Sequence, residues 1–260
     1  MKRTCVLAVI ALSASAGAAN AQVYNWRTAA SGTWHDPVSW NPTGIPDQPG
    51  ESAVLGLTGP YTVTLGSDVS LDQLTITNPE ATLFGVAVVT GSVTNAGILS
   101  PGTVDLFIGT LTVHGSYTQQ PFGALEVQCS ADGAHDEVVV SGAARLQGGE
   151  LYVSDLEGNF VPDCTDFVFL RAEGGVTGAF NNNVFTVHPS GRGHIVYTDT
   201  TVSFRYLAAD INANGVIDFF DYLDFVAALD SGDQLADFNH DGFPDFFDYL
   251  DFAERFDSGC

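Results

Sequence analysis

Tyr61-Thr-Val-Thr-Leu65, Gln73-Leu-Thr-Ile76, Leu111-Thr-Val113, Ala124-Leu-Glu-Val127, Glu137-Val-Val-Val140 and Glu150-Leu-Tyr-Val153 are short, β-branched runs, most of which alternate apolar with polar residues. A period of two is the pattern of a strand with one face buried. Gly, Asn and Pro punctuate the runs, as turns require. No stretch of residues 22–207 carries a helical period. Strand signals recur about every ten residues, a rhythm that fits a sandwich, a barrel or a solenoid. Three cues favour the solenoid. The strands are very short. Small turn residues recur at Gly91, Gly97, Gly102, Gly109, Gly115, Gly123 and Gly142. Phrases echo one another, as Gly109-Thr-Leu-Thr-Val113 does in Gly149-Glu-Leu-Tyr-Val153. The expected fold is mostly β: a right-handed parallel β-helix over residues 22–207, with a β-sandwich as the alternative. A small all-α unit is expected over residues 208–260.

The remaining bulk features concern export and charge. Lys2 and Arg3 precede a short apolar run, Val6 to Leu12, and Ala19-Asn20-Ala21 has the small-x-small form that signal peptidases cut. Residues 1–21 therefore read as a secretory signal, and the protein as exported. No later stretch is long and apolar enough for a transmembrane helix. Beyond residue 21 there are six arginines, no lysine and all 31 acids of the chain. Such a chain repels nucleic acid and anionic membranes and attracts cations. Of the cysteines past the signal, Cys129 and Cys164 lie in one region and are the expected disulfide pair, leaving Cys260 as the odd thiol.

Within the β-region, Asn95-Ala-Gly-Ile-Leu-Ser-Pro-Gly102, Gly109-Thr-Leu-Thr-Val-His-Gly-Ser-Tyr-Thr-Gln119 and Asp136-Glu-Val-Val-Val-Ser-Gly142 resemble an autotransporter-type passenger β-helix. Phe167-Val-Phe-Leu-Arg-Ala172, Val176-Thr-Gly-Ala-Phe180 and Thr201-Val-Ser-Phe204 resemble that family's closing segment, and Ser31-Gly-Thr-Trp34 with Trp40-Asn-Pro42 its opening cap. The resemblance implies a surface-displayed solenoid. Trp26, Trp34 and Trp40 read either as a platform for sugar rings or as a plug over the open end of the core. The plug is favoured because aromatic residues are more often core than platform.

The acids crowd after Ala209, and their spacing is specific. Asp210-Ile-Asn-Ala-Asn-Gly-Val-Ile-Asp-Phe-Phe-Asp221 returns, 27 residues on, as Asp237-Phe-Asn-His-Asp-Gly-Phe-Pro-Asp-Phe-Phe-Asp248. Ca²⁺ takes about six to eight oxygen ligands, which a twelve-residue loop supplies from positions 1, 3, 5, 7, 9 and 12. Those positions are Asp210, Asn212, Asn214, Val216, Asp218 and Asp221 in the first loop. In the second they are Asp237, Asn239, Asp241, Phe243, Asp245 and Asp248. Val216 and Phe243 would contribute backbone carbonyls. Gly215 and Gly242 hold position 6, where the chain turns sharply. Two Ca²⁺ sites are expected, the second weaker because Pro244 removes a backbone donor. A short helix is expected after each loop. Phe219 or Phe220, Leu223, Val226 and Leu229 would form the buried face of the first. Phe246 or Phe247, Leu250 and Phe256 would form that of the second.

A loop–helix tandem without entering helices, closing in Gly259-Cys260, resembles type I dockerins, specifically the GC-type dockerin-anchored proteins. In dockerins, loop positions 10 and 11 meet a cohesin partner. Here these are Phe219, Phe220, Phe246 and Phe247, either partner contacts or the unit's own core.

No catalytic reading finds its first residue. The chain past residue 21 has no lysine, its arginines are isolated, and Gly-x-Ser-x-Gly is absent. Asp132, Asp136 and Glu137 form the one tight acidic group near a strand, and read as a solvated turn rather than a hydrolase pair. The expectation is a non-catalytic β-solenoid surface or scaffold protein, assembled through a Ca²⁺-dependent dockerin-like module onto a cohesin-like or other surface protein, with possible glycan contact on the β-region. The alternative is an accessory or enzyme subunit in extracellular polysaccharide degradation.

Overall fold

The computed structural model describes residues 21–102, 108–156, 163–186 and 193–259. The expected signal, apart from Ala21, lies outside these residues. The chain is mostly β, with two helices at the C-terminal end. Among the described residues no helix is long and apolar enough to cross a membrane.

One sheet runs in strict sequence order through Gly32–Thr33, Tyr61–Leu65, Ala81–Gly85, Ile98–Pro101, Ala124–Cys129, Glu150–Asp155 and Asn182–Thr186, every pair parallel. The strands between them form a second sheet, which includes Glu51–Leu55, Val69–Ile76, Ala87–Asn95, Thr110–His114 and Glu137–Val140, again paired in parallel. Antiparallel pairing appears at the ends. Gln22–Trp26 meets Trp40–Asn41, and Thr201–Arg205 lies between Asp166–Ala172 and His194–Tyr197. Among the described residues no α-helix lies within the β-region, the strands keep one partly wet face, and the alternation stays visible in sequence.

The register stacks like on like. Val69, Val89, Val113, Val140 and Ala172 form one buried column. Val63, Leu83, Leu99, Leu125 and Leu151 form another. Along the first column the sequence separation grows from 20 to 24, 27 and 32 residues. The repeat lengthens as it proceeds, which is why no fixed period shows in the sequence. One stacked pair inside is polar. Asn95 lies in register with Gln119, and its amide donates to Gln119 Oε1 at 3.1 Å and to the Ala124 carbonyl at 2.9 Å. These bonds satisfy the Asn95 amide, while the buried Gln119 Nε2 has no partner.

Five of the seven glycines singled out as turn residues fall into two columns. Gly91, Gly115, Gly142 and Gly174 lie one above another. A Cβ on Gly115 would stand 2.3 Å from the Gly91 carbonyl oxygen, and one on Gly142 would stand 2.5 Å from that of Gly115. Gly97, Gly123 and Gly149 line the other corner, where Gly97 and Gly123 carbonyls accept from Ala124 and Glu150 amides at 2.7 and 2.9 Å.

Trp34 and Trp40 are fully buried and Trp26 nearly so. Their indoles donate to Pro46, Trp34 and Ala30 carbonyls, and Trp40 meets both other rings edge-on. They plug the end of the core, and no ring face is left for a sugar.

Asp136 corrects the sequence reading. It is 1 % exposed rather than part of a solvated turn. Its two oxygens accept from Gly109 and Gln128 amides at 2.8 and 2.9 Å. Burial pushes its carboxyl up to about 7 against the pull of those two amides. A raised folded-state pKa means that the native state holds a proton the unfolded chain has lost. Asp136 therefore costs stability as pH rises from about 4 to about 7, by an amount on the order of a few kcal/mol. Urea unfolding of wild type and Asp136→Asn at fixed Ca²⁺ should show this slope in the wild type alone. Equal slopes in both would remove Asp136 as its source. Asp132, by contrast, sits in an exposed turn, and Glu137 pairs with Arg171 at 3.1 Å.

The pairing of Cys129 with Cys164 is also overturned. Cys129 is a buried free thiol on a central strand, and Cys164 is disulfide-bonded elsewhere.

Candidate calcium loops and docking surface

After Arg205 the chain enters the helical unit without an exposed linker: Tyr206, Leu207, Ala208 and Ala209 are all buried. Helix α1 spans Phe219–Ser231 and helix α2 spans Phe246–Ser258. Each starts from a capping box, Asp218 with Asp221 and Asp245 with Asp248, and each ends at a left-handed glycine, Gly232 or Gly259. Reciprocal caps of this kind satisfy amides that a helix start leaves open.

The buried helix faces differ from those expected. Leu223, Val226 and Leu250 are exposed, while Phe225 and Phe252 are fully buried and stacked at 4.0 Å with rings 2° from parallel. They occupy equivalent places, 27 residues apart. Tyr222, Leu229, Tyr249 and Phe256 pack around them. Phe238 meets both rings edge-on and also packs against the β-core.

In both loops the side-chain oxygens accept from backbone amides. Asp210 Oδ1 and Oδ2 accept from Asn214 and Gly215 amides at 3.0 and 2.7 Å. Asp221 accepts from Asn212 and Asp218 amides at 3.2 and 2.8 Å. Asp248 does the same for Phe238, Asn239 and Asp245 at 2.7, 2.9 and 2.7 Å. Asn212, Asn214, Asn239 and Asp241 each accept from the amide two residues on. Gly215 and Gly242 have φ of 87° and 93°, and Ala213 and His240 at position 4 are left-handed as well. Asp218 and Asp245 cap the helices through Phe220 and Phe247 amides at 2.8 and 2.7 Å.

Four of these carboxylates, Asp210, Asp221, Asp237 and Asp248, are buried. Their hydrogen-bond partners are backbone amides, and the ion pairs of the described residues do not include them. Asp237 Oδ2 accepts from the Gly242 amide at 2.9 Å, but its buried Oδ1 has no partner. Buried anions without a counter-charge are costly. An orphaned carboxylate oxygen within a set of hard oxygen donors fits a Ca²⁺ ion. Among the described residues no three His, Cys, Asp or Glu side chains converge as a metal-holding group. The donor set implied by the spacing also draws on Asn212, Asn214, Asn239 and the Val216 and Phe243 carbonyls.

Phe219, Phe220, Phe246 and Phe247 are 64, 65, 65 and 64 % exposed. Phe219 and Phe246 stack on Tyr222 and Tyr249, which pack against the unit's core, and none of the four is itself buried there. Val216, Phe243, Leu223 and Leu250 add further exposed apolar surface.

On the β-region, a shallow groove of about 320 Å³ runs along the glycine column, lined by Ser70, Asp72, Thr90, Ser92 and His114 among others. No Trp, Tyr or Phe lines it, so it lacks a stacking surface for sugar rings.

No family model matches the chain, and no curated protein matches it.

Proposed function

We propose that this is an exported, non-catalytic scaffold or surface protein: a right-handed parallel β-helix carrying a dockerin-like module that binds two Ca²⁺ ions and docks onto a cohesin-like or other surface protein. The observation that carries the docking reading is the doubled Phe-Phe pair. Four large rings stand in solvent at positions 10 and 11 of the two loops. Exposed apolar clusters of this kind mark interaction sites. Aromatic residues are also frequent energetic anchors of interfaces. The β-helix reading rests on the parallel pairing and on the like-on-like columns.

Asp210, Asn212, Asn214, Asp218 and Asp221 with the Val216 carbonyl would hold the first ion. Asp237, Asn239, Asp241, Asp245 and Asp248 with the Phe243 carbonyl would hold the second. Bound Ca²⁺ supplies positive charge to carboxylates that the fold has buried. The chain's own part is to aim those carboxylates with backbone amides, through the same capping boxes that start the helices. Loop order and Phe presentation are thereby linked.

The test is capture from a surface extract of the source organism, using the full chain in Ca²⁺ and elution with chelator. One dominant protein should elute. Phe220→Ser with Phe247→Ser should weaken its capture by about ten- to a hundredfold, with Ca²⁺ binding unchanged. Equal capture by the double variant would place the interface elsewhere.

A further inference from the structure

We infer that the docking partner is a protein whose recognition surface is an apolar cleft rimmed by arginine or lysine, and that it covers both Phe-Phe pairs at once. The inference rests on the docking reading and adds the chemistry and the footprint of the partner.

The Phe pairs belong to one surface. Phe219 stacks on Tyr222 with centroids 6.1 Å apart and rings 16° from parallel, and Phe246 stacks on Tyr249 at 6.1 Å and 22°. Tyr222 hydrogen-bonds to Tyr249. These four rings form a strip that runs from one helix to the other. The buried stack of Phe225 on Phe252 sets the two helices against each other, so the strip is held in one shape before a partner arrives.

Carboxylates stand at its margins. Along α1, Phe219, Leu223 and Val226 are exposed at spacings of four and three, and exposed Asp230 ends the row four residues on. Along α2, Phe246, Leu250, Ala253 and Asp257 repeat the row, with Ala253 half-buried. Such spacings keep a row on one side of its helix. Asp224 follows Phe220 by one turn and Asp251 follows Phe247 by one turn, both exposed. An apolar centre inside a polar margin is the layout of a protein interface.

The sign of the margin selects the partner. Residues 208–259 hold thirteen acids against one arginine, so two Ca²⁺ ions would still leave eight negative charges. The one arginine, Arg255, reaches back to Asp163 of the β-region, with Nη1 3.7 Å from Oδ2. The described ion pairs include none of Asp224, Asp230, Asp251 or Asp257. A second copy of this chain would set like charge against like, and nucleic acid and anionic membranes carry the same sign. A neutral rim would strip water from the carboxylates and return no charge. A basic rim meets them, and a guanidinium also lies favourably on an aromatic face. Rim charges act mainly on association, whereas buried aromatic anchors act mainly on dissociation.

The probe is the protein that chelator releases from the full chain after capture from the surface extract. It is titrated back onto the full chain in saturating Ca²⁺, with both rates followed. Raising NaCl from about 50 mM to about 500 mM should weaken binding about tenfold or more. Asp224→Asn with Asp251→Asn should slow association about three- to tenfold at the lower salt and leave dissociation within about twofold. Phe220→Ser alone and Phe247→Ser alone should each speed dissociation about tenfold, because one footprint covers both pairs. Binding that ignores salt and the two Asp substitutions would overturn the basic rim and leave the docking reading standing. A response to only one of the two Phe substitutions would overturn the common footprint. Capture of a second copy of this chain would overturn the inference, and release of no protein by chelator would overturn the docking reading with it.

Discussion

Asp237→Asn should change stability in opposite directions with and without Ca²⁺. In chelator, the wild-type chain buries a carboxylate whose Oδ1 has no partner. Asparagine removes that charge, while its remaining oxygen still accepts from the Gly242 amide that Asp237 Oδ2 now serves. The variant is therefore expected to be as stable as wild type or more so when Ca²⁺ is absent, by about 1 kcal/mol. With Ca²⁺ at a hundred times its Kd, a single site adds about 2.7 kcal/mol to the wild type. The variant loses a charged ligand and most of that gain. Thermal melts followed by circular dichroism at the helix signal, in chelator and in saturating Ca²⁺, measure both arms. A variant destabilised equally under both conditions would mean that Asp237 is structural only. Wild-type melts that coincide with and without Ca²⁺, alongside Mg²⁺ as control, would remove the calcium reading altogether.

Gly115→Val should be strongly destabilising. The new Cβ would meet the Gly91 carbonyl oxygen at 2.3 Å and the Ser92 nitrogen at 3.0 Å. These are backbone atoms of the neighbouring rung, with no flexible side chain to give way. Gly142 in turn donates its amide to the Gly115 carbonyl at 2.8 Å, so a displaced Gly115 disturbs the rung on either side. Overpacking of this kind costs about 1–3 kcal/mol where side chains can adjust and more where they cannot. A loss above about 3 kcal/mol in urea unfolding is expected, against less than about 1 kcal/mol for a control at Gly133, where a Cβ meets nothing within 4 Å. Because Gly133 has φ of 88°, the control is Gly133→Asn, a residue that tolerates the left-handed region. Equal losses at both positions would show that the close approach at the column does not matter.

The two acidic loops and their helix caps were legible because a loop of this kind is a local object. Its ligands, its turn glycine and its capping acid all fall within twelve residues, so the spacing of Asp210 to Asp221 and of Asp237 to Asp248 contains the whole arrangement. Strand identity was legible for a related reason: one face of each strand stays wet, and the period of two survives at Tyr61-Thr-Val-Thr-Leu65. The helix faces were not. In α1, Phe219, Phe220 and Leu223 are as apolar as Tyr222, Phe225 and Leu229, and periodicity cannot rank two apolar faces. The pairing of Phe225 with Phe252 ranks them, and that pairing joins residues 27 apart in sequence.

What the sequence by itself determined is therefore what short-range geometry dictates: β-strands cut by small turns, two acidic loops of Ca²⁺ spacing, and a capped helix behind each. Only the tertiary structure decided how these meet. It placed Cys129 inside a sheet as a free thiol and bonded Cys164 elsewhere, against their nearness in sequence. It buried Asp136, it sank the three tryptophans into the core, and it left all four phenylalanines of the doubled pairs in solvent. The physical reason is common to these cases. Burial and pairing depend on which surfaces of distant segments come together, and a repeat that lengthens from 20 to 32 residues leaves no period from which that stacking can be read.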